Sequence, residues 1–205
     1  MKNKYSENYE SLGRFITFFH QIDTIKKLGG KNVLEIGVGN KTTSNYLKKN
    51  GFYIKTCDID KSLNPDVISD IRDLPFEDNS FDVVCAFEIL EHLPFEESIK
   101  GIKEMLRVSN KYVLFSVLYS SVYINISVNT NVLGGKRILF KDFVFRVPQF
   151  FRKAKFDGQH YWEIGRKGFS LKRVLKRLEK EGINVINKKR NKLTPRQHSF
   201  IIQKD

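Results

Sequence analysis

Short apolar segments typical of buried strands alternate with helix-like segments along most of this chain. Strand-like segments lie at 31–36, 52–58, 66–69, 81–87, 111–118, 184–189 and 198–203, and helical patterns cover 8–28, the segment around 45–50, 95–108 and 170–181. Strands that are apolar at nearly every position are buried on both faces, and alternation with helices favours parallel neighbours. The sequence therefore predicts an α/β protein whose mostly parallel sheet is covered by helices on both faces.

The length and the order of segments predict one domain with two additions. A chain of 205 residues suits a single domain over 1–205. Residues 1–30 contain the first helix, which carries an apolar face at three- and four-residue spacings: Leu12, Phe15, Ile16, Phe19, Ile22 and Ile25. Residues 119–168 separate the fifth strand from the next helix. We expect this insert to begin with an uncharged loop and to form the substrate side.

Two features predict a cytoplasmic protein. The N-terminal residues lack an apolar signal core, and the two cysteines lie in strand-like segments without a disulfide framework. The stretch between Lys111 and Lys136 contains no charged residue, but its serines, asparagines and closing Gly134-Gly135 are too polar for a transmembrane helix. We therefore expect no transmembrane segment.

Positive charge is concentrated in the last third of the chain. The formal net charge is +13, and the segment from Lys136 to Arg196 holds 19 basic residues against 5 acidic ones. Such asymmetry favours an anionic partner, which includes nucleic acid, acidic lipid headgroups and a phosphorylated substrate. A solubilising surface is the alternative interpretation.

The segment VLEIGVGN, residues 33–40, joins a strand to a helix through two glycines. A turn of this kind exposes backbone N–H groups and a positive helix end, which suit an anion or a carboxylate. A dinucleotide-binding fingerprint requires a third glycine where this chain has Thr42. Glu35 would repel a pyrophosphate but would attract a cationic amino group, so a nicotinamide oxidoreductase is disfavoured.

Carboxylates also follow the next two strands. Asp58 ends the second strand, at the position from which a carboxylate accepts hydrogen bonds from ribose hydroxyls. Asp70 follows the third strand and is placed to face an adenine amino group, with Ile71 beside it. Ligands of parallel sheets bind at the carboxyl ends of the strands. A ligand with an amino acid at one end and an adenosine at the other would meet all three sites.

Three segments together resemble the class I S-adenosylmethionine-dependent methyltransferases, especially their small-molecule group. These segments are VLEIGVGN, CDID and SDIRDLPFEDNSFDVVCAFEILEHL. The resemblance runs from Lys31 to Leu118. It implies a Rossmann-like seven-stranded sheet with an antiparallel last strand. It also implies S-adenosyl-L-methionine as cofactor, with S-adenosyl-L-homocysteine as product. The cofactor-binding residues it implies are Glu35, Gly37, Gly39, Asn40, Asp58, Ile59, Asp70, Ile71 and Phe87.

The chain departs from the family at Lys41, where a third alternating glycine is common. We expect this lysine to occupy the first turn of a helix without strain, so that cofactor contact is altered rather than lost.

Catalytic candidates lie in FEILEHL, which we expect to begin the helix after strand four. They are Glu91 and His92, joined by His160 from the later segment GQHYWEIG. Histidine suits a general base near neutral pH. The spacing of Glu88, Glu91 and His92 also resembles the metal-binding segment of certain O-methyltransferases, with His160 as a further ligand, but we predict a site without metal. The sequence CAFEI in place of an Asn-Pro-Pro-Tyr type segment disfavours methylation of adenine amino groups.

The insert carries two further candidates. Residues 137–156 interleave phenylalanines, from Phe140 to Phe156, with basic residues. This pattern suits a lid with inward phenylalanines, contact with an anionic membrane surface, or RNA binding. His160, Tyr161, Trp162 and Glu163 are suited to gripping a polar ring such as a sugar, or to anchoring the loop.

The sequence thus predicts a cytoplasmic S-adenosylmethionine-dependent methyltransferase that acts at oxygen on a small, anionic molecule or on a glycan or lipid-linked intermediate, with peripheral membrane contact through 137–156. An RNA methyltransferase and a non-catalytic cofactor-binding scaffold are the alternatives.

Overall fold

The computed structural model of the protein describes residues 9–131, 137–153, 156, 158–190 and 192–204, without the side chains of 127, 129–131 and 137–142. The expectations for residues 1–8 and for the side chain of Phe140 lie outside this part. The strands are β1 Asn32–Ile36, β2 Tyr53–Asp58, β3 Val67–Ile68, β4 Phe81–Phe87, β5 Ser109–Leu118, β6 Ser121–Asn131, β7 Arg137–Pro148, β8 Val185–Arg190 and β9 Gln197–Gln203. The α-helices are α1 Leu12–Leu28, α2 Thr42–Lys49, α3 Phe95–Val108 and α4 Leu171–Lys180.

Seven of the strands form one sheet, in the order β3-β2-β1-β4-β5-β9-β8. The first five run parallel to one another, and β9 is antiparallel to both β5 and β8. The predicted Rossmann-like, seven-stranded, mostly parallel sheet is therefore confirmed. Its strand order reverses between β1 and β4, which is where such sheets bind ligands.

The central strands are apolar at nearly every position because both of their faces are buried. Val33 and Val83 pack on one face with Ile25 of α1 and Leu47 of α2. Their neighbours in sequence point to the other face of the sheet. There Leu34 packs in a separate apolar core with residues of α3 and α4. Successive strand residues alternate between faces. A helix layer on each side therefore accounts for the uninterrupted apolar segments.

Helix α1 begins at Leu12, later than the predicted residue 8, and ends at Leu28 as predicted; it buries Ile25 of the predicted apolar face but not the N-terminal part of that face. Ser11 Oγ accepts a hydrogen bond from the Arg14 N–H, and Gly29 ends the helix with φ 78°. Leu12, Phe15 and Phe19 are exposed. The buried residues are Thr17, Phe18, Gln21 and Ile25. Three of these, Thr17, Phe18 and Gln21, line a cleft, so the inner face of α1 is partly polar.

The insert is a β-hairpin rather than the predicted uncharged loop. Strands β6 and β7 pair antiparallel from Ser121 opposite Pro148 onward. The serines and asparagines that suggested a loop alternate with Val122, Ile124, Ile126 and Val128, which is the period of a strand. The predicted lid with inward phenylalanines is not observed at the described positions, since Phe145, Phe150, Phe151 and Phe156 are exposed. No described helix has both the length and the apolar character that crossing a bilayer requires.

The segment after β4 also differs from the prediction. Glu88, Glu91 and His92 lie in a connection that contains a single 3₁₀ turn, Leu90–His92, and α3 begins only at Phe95. Pro94 precedes the helix with an extended ψ of 145°. A proline restricts the residue before it to extended conformations, so α3 does not extend back through Leu93 to Glu88, and its range matches the helix predicted at 95–108.

Candidate functional site

A cleft of about 1030 Å³ opens at the carboxyl ends of β1, β2 and β4, where the strand order reverses. It is larger than most small-molecule sites, which measure roughly 300–1,000 Å³. The structure brings these predicted residues together along it: Glu35, Gly37, Gly39, Asn40, Asp58, Ile59, Asp70, Ile71, Phe87, His92 and His160. Glu91 is not among the described residues that line the cleft.

The glycine turn requires glycine at its first position for two reasons. Gly37 has φ 80°, a left-handed conformation that other residues rarely adopt. A Cβ at this position would lie 2.2 Å from Cδ1 of Ile89. The Gly37 N–H donates to the Cys57 carbonyl at 2.8 Å. The turn is therefore held between β2 and the segment after β4.

Lys41 is predicted to lie in the first turn of α2. It lies instead at the N-cap of that helix, with φ 62° and ψ 16°. This left-handed conformation costs a residue with a Cβ roughly 1–2 kcal/mol. The expectation of an unstrained lysine is therefore wrong. The conformation accounts for a glycine at this place in the family, and the Lys41 ammonium donates to the Asn64 carbonyl.

Glu35 is a buried carboxyl group on the wall of the cleft. It lies near the end of β1, opposite Thr56 and Cys85 in the neighbouring strands. Burial raises its pKa to about 7, against smaller opposing effects from Ser44 and Lys48. Its Oε2 atom is buried and has no hydrogen-bond partner among the described residues. The site therefore offers an acceptor suited to a cationic group.

Asp58 fixes the glycine turn to the end of β2. Its Oδ2 atom accepts from the Val38 N–H, and its Oδ1 atom accepts from the Asp60 N–H, both at 2.9 Å. Each carboxylate oxygen has a second lone pair. The residue therefore acts as a structural acceptor and still has capacity for a ligand hydroxyl.

Asp70 is more fully engaged than Asp58. Its two oxygens accept from the Arg72 guanidinium at 2.9 and 2.6 Å, and Arg72 also contacts Glu97. Hydrogen bonds from Arg72 hold the pKa of Asp70 below its usual range. The adjacent Ile71 is buried against Gly101. At this strand end the cleft therefore presents an ion-paired carboxylate and an apolar side chain.

Two histidines lie side by side at the far end of the cleft, with ring centroids 4.9 Å apart. His92 Nδ1 lies 2.9 Å from the Gln159 carbonyl oxygen. Because a carbonyl only accepts, Nδ1 carries the proton and Nε2 carries the lone pair of the neutral ring. His160 Nδ1 lies 3.0 Å from Oε1 of the buried Glu163. Arg166 Nη2 donates to the same oxygen at 2.8 Å. Each ring is thus oriented through Nδ1.

Glu91 lies beneath the cleft with 0% exposure. Its Oε1 atom accepts from the Leu118 N–H at 3.1 Å, and its carbonyl accepts from the Tyr161 N–H at 2.8 Å. Burial raises its pKa to about 8. The residue therefore joins the end of β5 to the loop that carries His160.

Within the part of the chain that the structure describes, no group of three histidine, cysteine, aspartate or glutamate side chains is arranged to hold a metal ion. Of the predicted ring-gripping residues, Trp162 instead anchors the loop. It is buried against Phe95 and Phe169, and its Nε1–H donates to Ser98 Oγ at 3.1 Å.

A polar chamber of about 900 Å³ adjoins the histidine end of the cleft. Tyr123, Gln159, His160 and Arg196 line both cavities. The chamber walls come from the start of β6 and from the loop after β7, and they include Arg152 and Arg166. His160 therefore lies where the two cavities meet, with His92 beside it on the cleft side, and three arginines line the chamber.

Helix α1 and strand β9 also contribute to the site, which the sequence did not indicate. Arg14 Nη1 donates to Glu88 Oε2 at 2.9 Å, and Gln197 Nε2 donates to Glu88 Oε1 at 3.0 Å. These residues are separated from Glu88 by 74 and 109 positions. No short-range sequence pattern links these residues to Glu88.

Comparison with protein families gives one match relevant to this site. Residues 34–115 match a family model described as a methyltransferase domain. That segment includes every predicted cofactor-binding residue and the histidine after β4. No curated protein matches the chain.

Solved structures share the fold at low sequence identity. A S-adenosylmethionine-dependent methyltransferase from Clostridium acetobutylicum superposes with a TM-score of 0.62 at 11% identity, over 98% of each chain. A SAM-dependent methyltransferase from Aquifex aeolicus gives 0.59 at 17% identity, over 99% of this chain and 98% of that one. Magnesium protoporphyrin IX methyltransferase from Synechocystis, solved with bound SAH, gives 0.60 at 13% identity, over 95% and 84%.

The domain match includes the glycine turn and the carboxylates at the strand ends, and the strand order agrees with the fold that the resemblance implied. Residues 34–115 therefore match a methyltransferase domain, and the chain shares the fold of S-adenosylmethionine-dependent methyltransferases of known structure.

Proposed function

We propose that this chain methylates an oxygen atom of a small anionic acceptor, such as a glycan or lipid-linked intermediate, bound in the polar chamber. The observation that carries the proposal is the histidine pair, of which His160 lies where the chamber meets the cofactor cleft. A hydroxyl acceptor needs a base, and neutral imidazole supplies one.

The cleft fits S-adenosylmethionine at each end. The buried Oε2 of Glu35, without a partner among the described residues, suits the ammonium of the methionine end. We assign the ribose hydroxyls to the lone pairs that Asp58 retains, and the adenine to the part of the cleft that Ile59 and Ile71 line. When bound there, the cofactor supplies an activated sulfonium methyl group.

The chain's own part is to bind the acceptor and to accept its proton. His160 takes the hydroxyl proton at Nε2, while Glu163 holds the Nδ1 proton and stabilises the imidazolium that forms. His92 lies against the His160 ring and orients the acceptor. Glu91 acts as a positioning residue, because it ties the His160 loop to β5.

The arginines of the chamber indicate the charge of the acceptor. Arg152 and Arg196 are exposed and line the chamber, and guanidinium groups bind carboxylates and phosphates in pairs of hydrogen bonds. The acceptor we propose therefore carries a carboxylate or phosphate beside the hydroxyl that is methylated.

The test is transfer of labelled methyl from S-adenosylmethionine to a panel of hydroxylated carboxylates, phosphosugars and polyprenyl-linked sugars. His160→Ala should lower turnover about 10²–10⁴-fold, as expected when a general base is removed, with cofactor affinity unchanged by calorimetry. Glu163→Gln should keep part of that rate and alter its pH profile. Full turnover in His160→Ala would disprove the role of His160.

RNA is the second candidate acceptor, because Lys188, Lys189 and Arg190 are exposed along the edge strand β8. If RNA is the acceptor, labelled methyl enters RNA only. The affinity of the chain for RNA should then fall by about 10³-fold or more between about 50 and about 200 mM salt, if about six or more phosphates are contacted. Methylation of a small acceptor that is insensitive to salt would exclude this alternative.

A further inference from the structure

One face of the β6–β7 hairpin is apolar and exposed to solvent. Val122 lies directly opposite Val147, and Ile124 lies directly opposite Phe145. Directly opposed residues of an antiparallel pair point to the same side. Their exposed fractions are 61% and 66% for the first pair and 63% for both members of the second. Ile126 extends the face.

The other face of the hairpin is turned toward the body of the protein. Arg146 lies between Phe145 and Val147 in the strand, so its side chain points the opposite way. Its guanidinium carbon lies 4.1 Å from the centroid of the Tyr119 ring, and its side-chain nitrogens are buried. This contact places the inner face of the hairpin against Tyr119, with the apolar face outward.

Basic residues are exposed near the hairpin. Arg152 and Lys153 are exposed directly after the hairpin, and Lys188, Lys189 and Arg190 are exposed on β8. Arg190 is close enough to Arg146 to lower the pKa of that guanidinium, although burial is the larger cause. The hairpin and the basic edge of the sheet are therefore neighbours.

We propose that the β6–β7 hairpin docks the enzyme on an anionic membrane surface. Exposed apolar patches mark interaction sites, and an apolar face beside basic residues is the combination that binds anionic lipids. Apart from Phe145, the residues of the two opposed pairs have aliphatic side chains, which insert among acyl chains but offer no ring on which an RNA base would stack. A second copy of this chain would bring two strongly basic regions together, which their repulsion disfavours.

Docking by this face has a consequence for the site. Residues 121–123 of β6 line the polar chamber as well as forming the start of the hairpin. The chamber would therefore open beside the lipid headgroups, within reach of an acceptor held in the membrane. The docking surface itself does not depend on which acceptor is methylated.

The test is sedimentation of the full chain with vesicles of phosphatidylcholine, with and without phosphatidylglycerol. Binding should require phosphatidylglycerol and should weaken with added salt. The double variant Ile124→Ser with Phe145→Ser should bind at least about tenfold more weakly, because the apolar contribution is lost. Tyr53→Ser, which removes an exposed apolar side chain in β2, is the matched control and should bind as the unmodified chain does.

Three other results would overturn the proposal: equal binding to both vesicle types, unchanged binding by the double variant, or a dimer of the unmodified chain that the variant converts to a monomer without vesicles. Tighter binding to RNA than to vesicles would also contradict it. The double variant should keep its affinity for S-adenosylmethionine, measured by calorimetry, and a cooperative thermal unfolding transition. A loss of vesicle binding can then be distinguished from a failure of the proposed function.

Discussion

The cofactor half of the sheet, which is strands β1 to β4, and the β6–β7 hairpin are both built of strands, but they differ in where their apolar and polar side chains lie. In β1 and β4, residues on both faces are buried, and the polar groups are concentrated at the carboxyl ends. In the hairpin, one face is apolar and exposed, and the other is turned toward Tyr119. The difference shows that the first region is stabilised by its own packing, whereas the second leaves apolar surface for another partner.

Native-state hydrogen exchange should give the largest contrast between the two regions. A two-stranded hairpin is marginally stable by itself, whereas β4 pairs on both sides within the core. We expect the amides of β6 and β7 to exchange at least about 10³-fold faster than those of β4, because the hairpin opens locally. Equal protection in both regions would show that the hairpin is part of the central cooperative unit.

A pair of glycine substitutions tests how closely the glycine turn fits its surroundings. Gly37 and Gly51 have φ of 80° and 78°, but only at Gly37 would a Cβ meet another side chain. Gly51→Ala should cost about 1–2 kcal/mol of folding free energy and leave cofactor binding intact. Gly37→Ala should weaken cofactor binding about a hundredfold, because the turn shifts by an ångström or more.

Calorimetry and thermal unfolding of both variants provide the measurement. If Gly37→Ala binds S-adenosylmethionine as tightly as Gly51→Ala does, the turn is not the cofactor site. The glycine turn would then support the fold without binding the cofactor.

The pH dependence of cofactor affinity should give a smaller effect. The pKa of Glu35 is raised to about 7, so its carboxyl group gains a proton as the pH falls through neutrality. The ammonium of the ligand binds only the ionised form. The dissociation constant should therefore rise about tenfold between about pH 8 and about pH 6.

Glu35→Gln is the control for this dependence, because an amide does not titrate over this range. The variant should bind more weakly at pH 8 and show a flat profile. A profile in Glu35→Gln as steep as that of the unmodified chain would assign the pH dependence to another group.

Most of the cofactor half was predictable because its determinants are local. Apolar strands, the glycine turn and the carboxylates that follow β1, β2 and β3 lie within 82 consecutive residues. The alternation of side chains along a strand and the residues that form a turn can both be read from a short stretch of sequence. The same is true of the residues at the carboxyl ends of parallel strands, where ligands bind. Glu35, Gly37 and Asp58 accordingly lie in one cleft, where the pattern indicated.

The incorrect predictions share a different cause. The loop predicted after β5 is a strand because its polar residues alternate, and Glu88, Glu91 and His92 lie outside α3 because Pro94 precedes that helix. The conformation of Lys41 follows from the turn that Asp58 and Cys57 hold in place. In each case, a contact or a backbone constraint outweighed composition.

The sequence by itself determined the parallel sheet, its glycine turn and the carboxylates at the strand ends, because side-chain period and backbone freedom act over a few residues. Only the tertiary structure decided that Glu91 is buried beneath the cleft, that His92 meets His160, and that the hairpin turns its apolar face outward. These arrangements join residues far apart in the chain, and burial and hydrogen bonding between distant segments are fixed only when the sheet and its helices pack together.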